Sequence, residues 1–515
     1  MRLGQLTNRP PSWELTRVSF QLDALSKKAL EILSLTRSKM NMLAPISRLP
    51  QEILTLIPDF CHGPGRGKIP IVLSHVCRAW RETFVSRASL WTDFQCVDAE
   101  KTRVYLERSK TSSISLWLQR PQGFFPSDPF FEIAPHIPSR LKSLSVTTTP
   151  SYLQDITENF IHPTPLIETL TIEALTINGP DLNPVLTTAL FDGDLSLLRE
   201  LHLRSVRTEL PWRSMNNLTS FSLSHMTRPA VSVGQILDFF ESAPRLREVE
   251  LISATPTVHT QNGRLLSLTH LRKLSISGGQ SPSILLDYLV IPVGAKMSVE
   301  SPRSRFDDHL PKSLDNLRNL SNFTKISLFF KDFHASVRFT GPNGEVTFAS
   351  SFGFDAVRSV PQILARFDTS KTRRMEIING YPITNELCEA LMPMTNLRTL
   401  MISRCKDTLP FLHCLSFGLS ESSWTVVCPK LKKLVFRTSD RFEMGVMVNG
   451  AAVRARREAP LKLVKIVSCP GPVSIRLVAE LLKHVSRVET GVWEGGEADY
   501  FSDDSDFSED GDEGG

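Results

Sequence analysis

The sequence predicts an α/β protein: a helical module near the amino end, then an irregular solenoid of short parallel strands and helices, then a disordered acidic tail. Three observations carry that prediction. From about residue 140 a six-residue template recurs, an apolar residue, two free positions, then an apolar-free-apolar triplet, as in "RLKSLSV", "LLRELHL", "RLREVEL" and "NLRTLMI". Between Ile46 and Phe94 the chain gathers Leu-Pro, Val-Cys, two Trp and a glycine-rich stretch into one short segment. From Glu494 to Gly515 it carries ten acids and no base. At 515 residues and 41% hydrophobic content the chain has enough apolar material for two or three domains or one long repeat array.

Residues 1–45 form the first element. Leu15, Val18, Leu22, Leu25, Ala29, Ile32, Leu33 and Met40 recur at helical spacing with Arg17, Asp23, Lys27, Lys28 and Arg37 between them. The spacing predicts an amphipathic helix entered after Pro10 and Pro11 and left before Pro45, packed on a neighbouring element rather than paired as a coiled coil.

Residues 46–95 form the second. A phosphate-cradling loop needs two Gly five positions apart followed by Lys and Ser or Thr, whereas Gly63, Gly65 and Gly67 are followed by Lys68 and Ile69. The glycines therefore predict a flexible connector between helices. Leu49, Ile53, Leu56 and Ile57 make one helical stripe, opened by Pro50 and Glu52 where a missing N–H costs little and negative charge suits the dipole. Leu73, Val76, Cys77, Trp80 and Phe84 make a second, and Leu90 and Trp91 close the segment. About fifty residues cannot bury this much apolar surface among themselves, so part of it should face the rest of the chain or a partner.

Residues 96–490 form the third. Template units begin at Leu141, Ile167, Leu198, Leu218, Leu246, Leu271, Phe323, Thr372, Leu397, Leu431 and Leu461, with "AKMSVES" and "GEVTFAS" as degenerate units inside the two widest gaps. Helix-like stretches such as "VGQILDFFESAPRL", "SPSILLDYLVIP" and "TNELCEALMPMTNL" lie between them. A short strand and a helix every 20 to 30 residues is the pattern of a leucine-rich repeat, in which no unit buries its apolar side until its neighbours stack on it. The ninth template position turns inward and carries Cys405 and Cys469 in two units. Residues 491–515 form the last element, a tail that repels itself and lacks the apolar groups to offset its conformational entropy.

Composition excludes several classes. The amino end has no apolar signal-peptide core, and no stretch reaches the roughly 18 uncharged apolar residues of a membrane span, so the cytosol or nucleus is the expected compartment and no membrane partner is expected. None of the eight Cys is spaced C-x-x-C, and Cys405, Cys414 and Cys428 with His413 lack the paired spacing of a zinc module. No metal or cofactor is expected, and no G-x-S-x-G or H-E-x-x-H suggests an enzyme. Apart from the tail, 59 basic residues face 44 acidic ones. Residues 46–94, with six basic and four acidic side chains, are too balanced for a helix-turn-helix tracking phosphates, so no nucleic acid is expected.

The run "RLPQEIL…LSHVCRAWRETFVSRASLW" closely resembles an F-box, with its Leu-Pro opening, Val-Cys-Arg-x-Trp helix and terminal Leu-Trp at Leu49-Pro50, Val76 to Trp80 and Leu90-Trp91. With "RVYLERSKTSSISLWL" and the irregular repeats, the chain is similar to fungal F-box proteins whose carboxyl halves look like leucine-rich repeats. The F-box match spans about a tenth of the chain. One departure is Pro58, where such proteins usually continue the first helix with a bulky apolar residue; it should end that helix early and weaken the partner contact.

The resemblance implies a substrate receptor of a Skp/cullin/F-box ubiquitin ligase, with Leu49, Pro50, Ile53, Leu54, Ile57, Val76, Cys77, Trp80, Leu90 and Trp91 on the Skp-type adaptor and, through it, a cullin. Such a receptor works by raising effective concentration rather than by making bonds. The alternative is a repeat scaffold acting outside a ligase. The second template position is basic in eight of eleven units. Arg199, Arg247, Arg272, Arg373, Arg398, Lys432 and Lys462, with His202, are therefore the expected substrate face on a shared concave surface, suited to an acidic or phosphorylated protein segment.

Overall fold

The computed structural model describes residues 12–61, 66–96, 98–120, 128–175, 184–186, 190–193, 195–208, 215–225, 231–254, 264–278, 282–301, 310–331, 334–350, 360–379, 385–405, 408–417, 426–437, 443–468 and 474–491. The acidic tail, Gly63, Gly65 and Cys469 lie outside the described residues. The chain is mixed α/β and divides into two compact units: Met1–Leu170 with Ala189–Asp194, and Thr171–Thr188 with Leu195–Gly515.

The first unit opens with α1 (Ser12–Leu43), whose limits match the proline-bounded helix expected from the sequence. None of its described side chains is buried, so the expectation that it packs on a neighbour is not met. Four short helices follow, α2 (Gln51–Leu54), α3 (Ile57–Phe60), α4 (Ile69–Ser74) and α5 (Arg78–Ser86). Next come β1 (Asp93–Gln95), α6 (Ala99–Arg108), β2 (Ile114–Arg120), α7 (Pro129–Ile133), β3 (Leu141–Thr148) and α8 (Pro150–Asn159). The strands β1, β2 and β3 pair in parallel in that order. Asp98 and Asp128 cap α6 and α7 by accepting from the Lys101 and Phe130 N–H groups, the role that favours Asp at this position.

β4 (Thr169–Ala174) straddles the division between the units. The second unit then runs through β5 (Val185–Leu186), β6 (Glu200–Arg204), β7 (Arg207–Thr208), β8 (Ser220–Ser224), α9 (Val233–Ser242) and β9 (Glu248–Ile252). It continues with β10 (Leu266–Ser267), β11 (Lys273–Ser277), α10 (Ser283–Leu286), β12 (Leu289–Val290) and β13 (Lys296–Ser301). β14 (Lys325–Lys331), β15 (His334–Gly341), β16 (Gly344–Ser350), β17 (Arg374–Ile378), β18 (Thr399–Ser403), β19 (Lys433–Arg437), β20 (Leu463–Val467) and β21 (Arg487–Gly491) complete it.

The main sheet of this unit runs β6-β8-β9-β11-β13-β16-β15-β14-β17-β18-β19-β20-β21 and is parallel except at β15. β5 with β7 and β10 with β12 form two short parallel pairs apart from it. The triplets set the register. Phe221, Val249, Leu274, Met297, Val346, Phe339, Ile326, Met375, Leu400, Leu434 and Val464 stand opposite one another from strand to strand, and all are buried. A one-residue slip would turn this whole apolar row to the other face, which is why alternation alone fixes the pairing.

Both ends of the template repeat a turn. Three residues before the first apolar position a buried carbonyl accepts its N–H, as in Leu218 to Met215, Leu246 to Ala243, Leu397 to Met394 and Leu431 to Cys428. The eighth position is left-handed in Ser205, His225, Ser253, Gly278, Asn379, Arg404 and Ser468. There each N–H donates to a carbonyl at or next to the end of the next strand, as Ser253 does to Ser277, Arg404 to Arg437 and Gly278 to Glu300.

Three expectations need correction. The solenoid is not parallel throughout: the chain crosses from β13 to β14, returns through β15 to β16, and so places "GEVTFAS" beside "KMSVES". The turn Gly341-Pro342-Asn343-Gly344 makes this reversal possible. Gly344 has φ +136, and a Cβ there would lie 2.7 Å from the Ala295 carbonyl oxygen. The stretches "SPSILLDYLVIP" and "TNELCEALMPMTNL" hold only one helical turn each, Ser283–Leu286 and Asn385–Glu389, the former running straight into β12. By contrast α9 fills its expected span. A capping box joins Ser232 and Gln235, and Ile236, Leu237, Phe239 and Phe240 are buried.

Candidate functional site

The segment of residues 46–95 has a core of its own. Leu54, Leu73, Trp80 and Phe84 form it, with Ile57, Ile69, Cys77 and Leu90 packed against its edge. The Trp80 and Phe84 rings meet edge to face at 5.4 Å. Trp80 is thus 6% exposed, while Leu49 is 39%, Ile53 46% and Val76 51% exposed. Pro50 is exposed too, and Ile57, Cys77 and Leu90 are half-buried. The ten expected adaptor residues therefore separate into exposed apolar side chains, Leu49, Ile53 and Val76 among them, and an interior holding Leu54, Trp80 and Trp91.

Trp91 belongs to a different neighbourhood. Its Nε1 donates to the Phe84 carbonyl at 2.8 Å, its ring lies 5.1 Å from Tyr105, and Arg108 sits 4.3 Å over it. Tyr105 also stacks on Phe94 at 5.1 Å and donates to the Gly67 carbonyl. Gly67 is no loose connector: a Cβ there would come within 3.3 Å of the β1 backbone, so glycine lets this turn press against the strand. Burial raises the Tyr105 hydroxyl to about 12, which keeps it a donor.

The break expected from Pro58 is present. α2 ends at Leu54, α3 begins at Ile57 with Pro58 in its first turn, and Arg87 donates to the Thr55 carbonyl at the break. The sequence reasoning left Ile46, Leu56, Phe60 and Val72 out of the adaptor set, yet all four are exposed apolar side chains of the same module. The three- and four-residue steps from Ile46 through Leu49, Ile53 and Leu56 to Phe60 were the available signal.

The second candidate surface lies in the second unit. Arg199, Arg247, Arg272, Arg373, Arg398, Lys432 and Lys462 are all exposed, and each immediately precedes a strand. They stack through the backbone: Arg272 N–H donates to Arg247, Arg398 to Arg373, Lys432 to Arg398 and Lys462 to Lys432, at 2.7–2.9 Å. The row therefore follows the edge where the strands begin. Neighbouring strands are about 4.8 Å apart, so Arg247 and Arg272 form one close pair and Arg373, Arg398, Lys432 and Lys462 a run close enough to act together, with β13, β16, β15 and β14 lying between the two groups.

Within the strands the charges are used differently. Arg374 lies 2.5 Å from Glu376 Oε1, while Glu376 Oε2 lies 3.3 Å from Lys325 and accepts from the Ser327 hydroxyl at 3.0 Å. Leu201, Leu203, Leu274 and Ile276 are buried while His202 and Ser275 between them are half-exposed, as alternation requires. Glu376, Met401 and Val435 depart from the expected outward exposure at the middle of the triplet, because β17, β18 and β19 are covered on both faces.

A cluster of groups with altered acidity lies inside the first unit. Arg120 grips Asp128 through Nε at 2.5 Å and Nη2 at 3.0 Å, while the Phe130 N–H donates to Asp128 at 2.9 Å. Burial alone would raise the Asp128 carboxyl, but these donors and Tyr152 outweigh it and hold the group below the usual carboxylate range. Burial raises Tyr152 and Cys96 beside it. The arrangement joins α7 to β2. Cys405 and Cys428 are buried at repeat turns, Cys405 at the inward ninth position and Cys428 in the turn before β19. Among the described residues no group of His, Cys, Asp and Glu could hold a metal ion, and no helix is long and apolar enough to cross a membrane. Comparison with protein-family models and with curated proteins finds no match for this chain.

Proposed function

We propose that this chain is a substrate receptor of a Skp/cullin/F-box ubiquitin ligase, acting in the cytosol or nucleus. In this reading the module of residues 46–95 binds the Skp-type adaptor and through it a cullin. The repeat region holds a protein substrate, and the chain itself makes no bond. One observation supports this above the rest. A small helical module fills its own core with Trp80 and Phe84 and still leaves Leu49, Ile53 and Val76 about half exposed, on the positions that the F-box resemblance assigns to the adaptor.

A second reading, a repeat scaffold outside any ligase, draws on the helix break before Pro58, which cuts the helix that carries Ile53 to the single turn Gln51–Leu54. Co-purification separates the two. Adaptor and cullin recovered together with the tagged chain support the receptor; a chain that brings down neither, while still folded, refutes it in favour of the scaffold.

A further inference from the structure

We infer that α1 is a dimerisation arm, pairing with α1 of a second copy of this chain along the stripe of Val18, Leu22, Leu25, Ala29 and Ile32. This inference stands apart from the ligase reading. A helix in water owes most of its stability to an apolar face packed on something. α1 runs for 32 residues, none of its described side chains is buried, and Val18, Leu22, Leu25, Ile32, Leu33, Met40 and Leu43 are all exposed. Its described tethers lie at its carboxyl half, where Arg78 donates to Ser34 at 2.8 Å and Ser47 to the Asn41 carbonyl at 2.6 Å. These contacts anchor the helix without covering its face.

The spacing names the occupant. Leu15, Val18, Leu22, Leu25, Ala29 and Ile32 follow steps of three and four in strict alternation. That seven-residue period keeps a seam in contact only when the partner is another helix wound with it; against a globular surface a straight helix drifts by about 20° per heptad. The stretch covers about 26 Å at 1.5 Å per residue.

The positions flanking this seam, Glu14, Ser19, Gln21, Ser26, Lys28 and Leu33, carry one charge of each sign. Nothing there selects a partner of opposite charge or repels an identical helix. Past Ile32 the seam positions become Thr36 and Lys39, so pairing is concentrated in the first half. A membrane surface fits less well, because Asp23, Lys27 and Glu31 mix both signs on the opposite face where a surface-binding helix would be basic.

The test is sedimentation of the full chain across the micromolar range. One copy has a mass of 57.8 kDa, so the expected species is twice that, about 116 kDa. Leu22→Glu with Leu25→Glu should return the mass to that of one copy, while Lys27→Glu on the opposite face should leave the dimer intact. Ala29→Leu, which adds apolar volume at the seam, should hold the dimer to several-fold lower concentration, a gain that misfolding cannot imitate. A wild-type chain that sediments as a single copy throughout overturns the inference. So does a Leu22→Glu/Leu25→Glu chain that remains dimeric, since another surface would then be responsible. A single-copy chain that floats with anionic phospholipid vesicles overturns it in favour of a lipid surface.

Discussion

Replacing Leu49, Ile53 and Val76 together with Ala tests the proposed adaptor surface without touching the module's core. These side chains are 39%, 46% and 51% exposed, so a partner would remove from water only what folding has left open. Full burial of such a side chain is worth about 1.5–3 kcal/mol, and scaling by the exposed fractions gives about 2–4 kcal/mol for the three. That corresponds to roughly 30- to 1,000-fold weaker binding. The assay is titration of the purified adaptor against wild-type and triple-variant chains, with thermal unfolding alongside. The melting temperature should barely move, because Leu54, Leu73, Trp80 and Phe84 keep the core intact. Trp80→Ala supplies the opposite signature: it empties the core, costs about 3–5 kcal/mol of module stability, and weakens binding only through unfolding. Adaptor binding by the triple variant within about twofold of wild type would refute the placement of the adaptor on this face.

The basic edge predicts that Arg373→Glu, Arg398→Glu and Lys432→Glu together abolish binding of an acidic peptide. Wild-type binding should weaken steeply with salt, because exposed charges are screened over about 8 Å at physiological ionic strength; equal binding by both chains would remove the edge from consideration. Asp128 is held below its ordinary range by Arg120, so it contributes stability above the unfolded carboxylate pKa that is lost as pH falls through the lower folded value. Asp128→Asn should flatten that acid limb in pH-dependent unfolding. Gly278 has φ +63, and a Cβ there would lie 2.5 Å from Ser253 Oγ, so Gly278→Ala should cost about 1–2 kcal/mol or more in chemical denaturation. Arg454 is buried and donates to the carbonyls of Val427 and Cys428 at 2.8 Å each; Arg454→Ala removes both bonds, leaves the Cys428 carbonyl with only the Leu431 N–H, and should cost about 1–3 kcal/mol by the same measurement.

The strands were legible because their cause is local: an apolar-free-apolar triplet can bury one face only in one register, and Leu274 and Ile276 show it as clearly in the letters as in the fold. The hairpin was equally local, since Gly341-Pro342-Asn343-Gly344 lies between two alternating runs, but the repeat period absorbed "GEVTFAS" as one more unit and hid the reversal. The left-handed eighth position was not legible. Ser253, His225, Asn379 and Arg404 adopt it although only Gly278 advertises it, because the N–H that each turns toward the next strand's carbonyl offsets the backbone cost.

The candidate site divides along the same line. Helical spacing puts Val76, Cys77, Trp80 and Phe84 on one stripe, but a stripe has two sides, and which side is interior depends on what Leu54 and Leu73 bring from other helices. Period can therefore select the side chains that want cover without saying which of them are already covered. Trp80, the residue most expected to anchor a partner, is the one the module consumes. The smaller Leu49, Ile53 and Val76 are left to make the contact, so the adaptor face should be sought by truncating aliphatic side chains rather than the aromatic one.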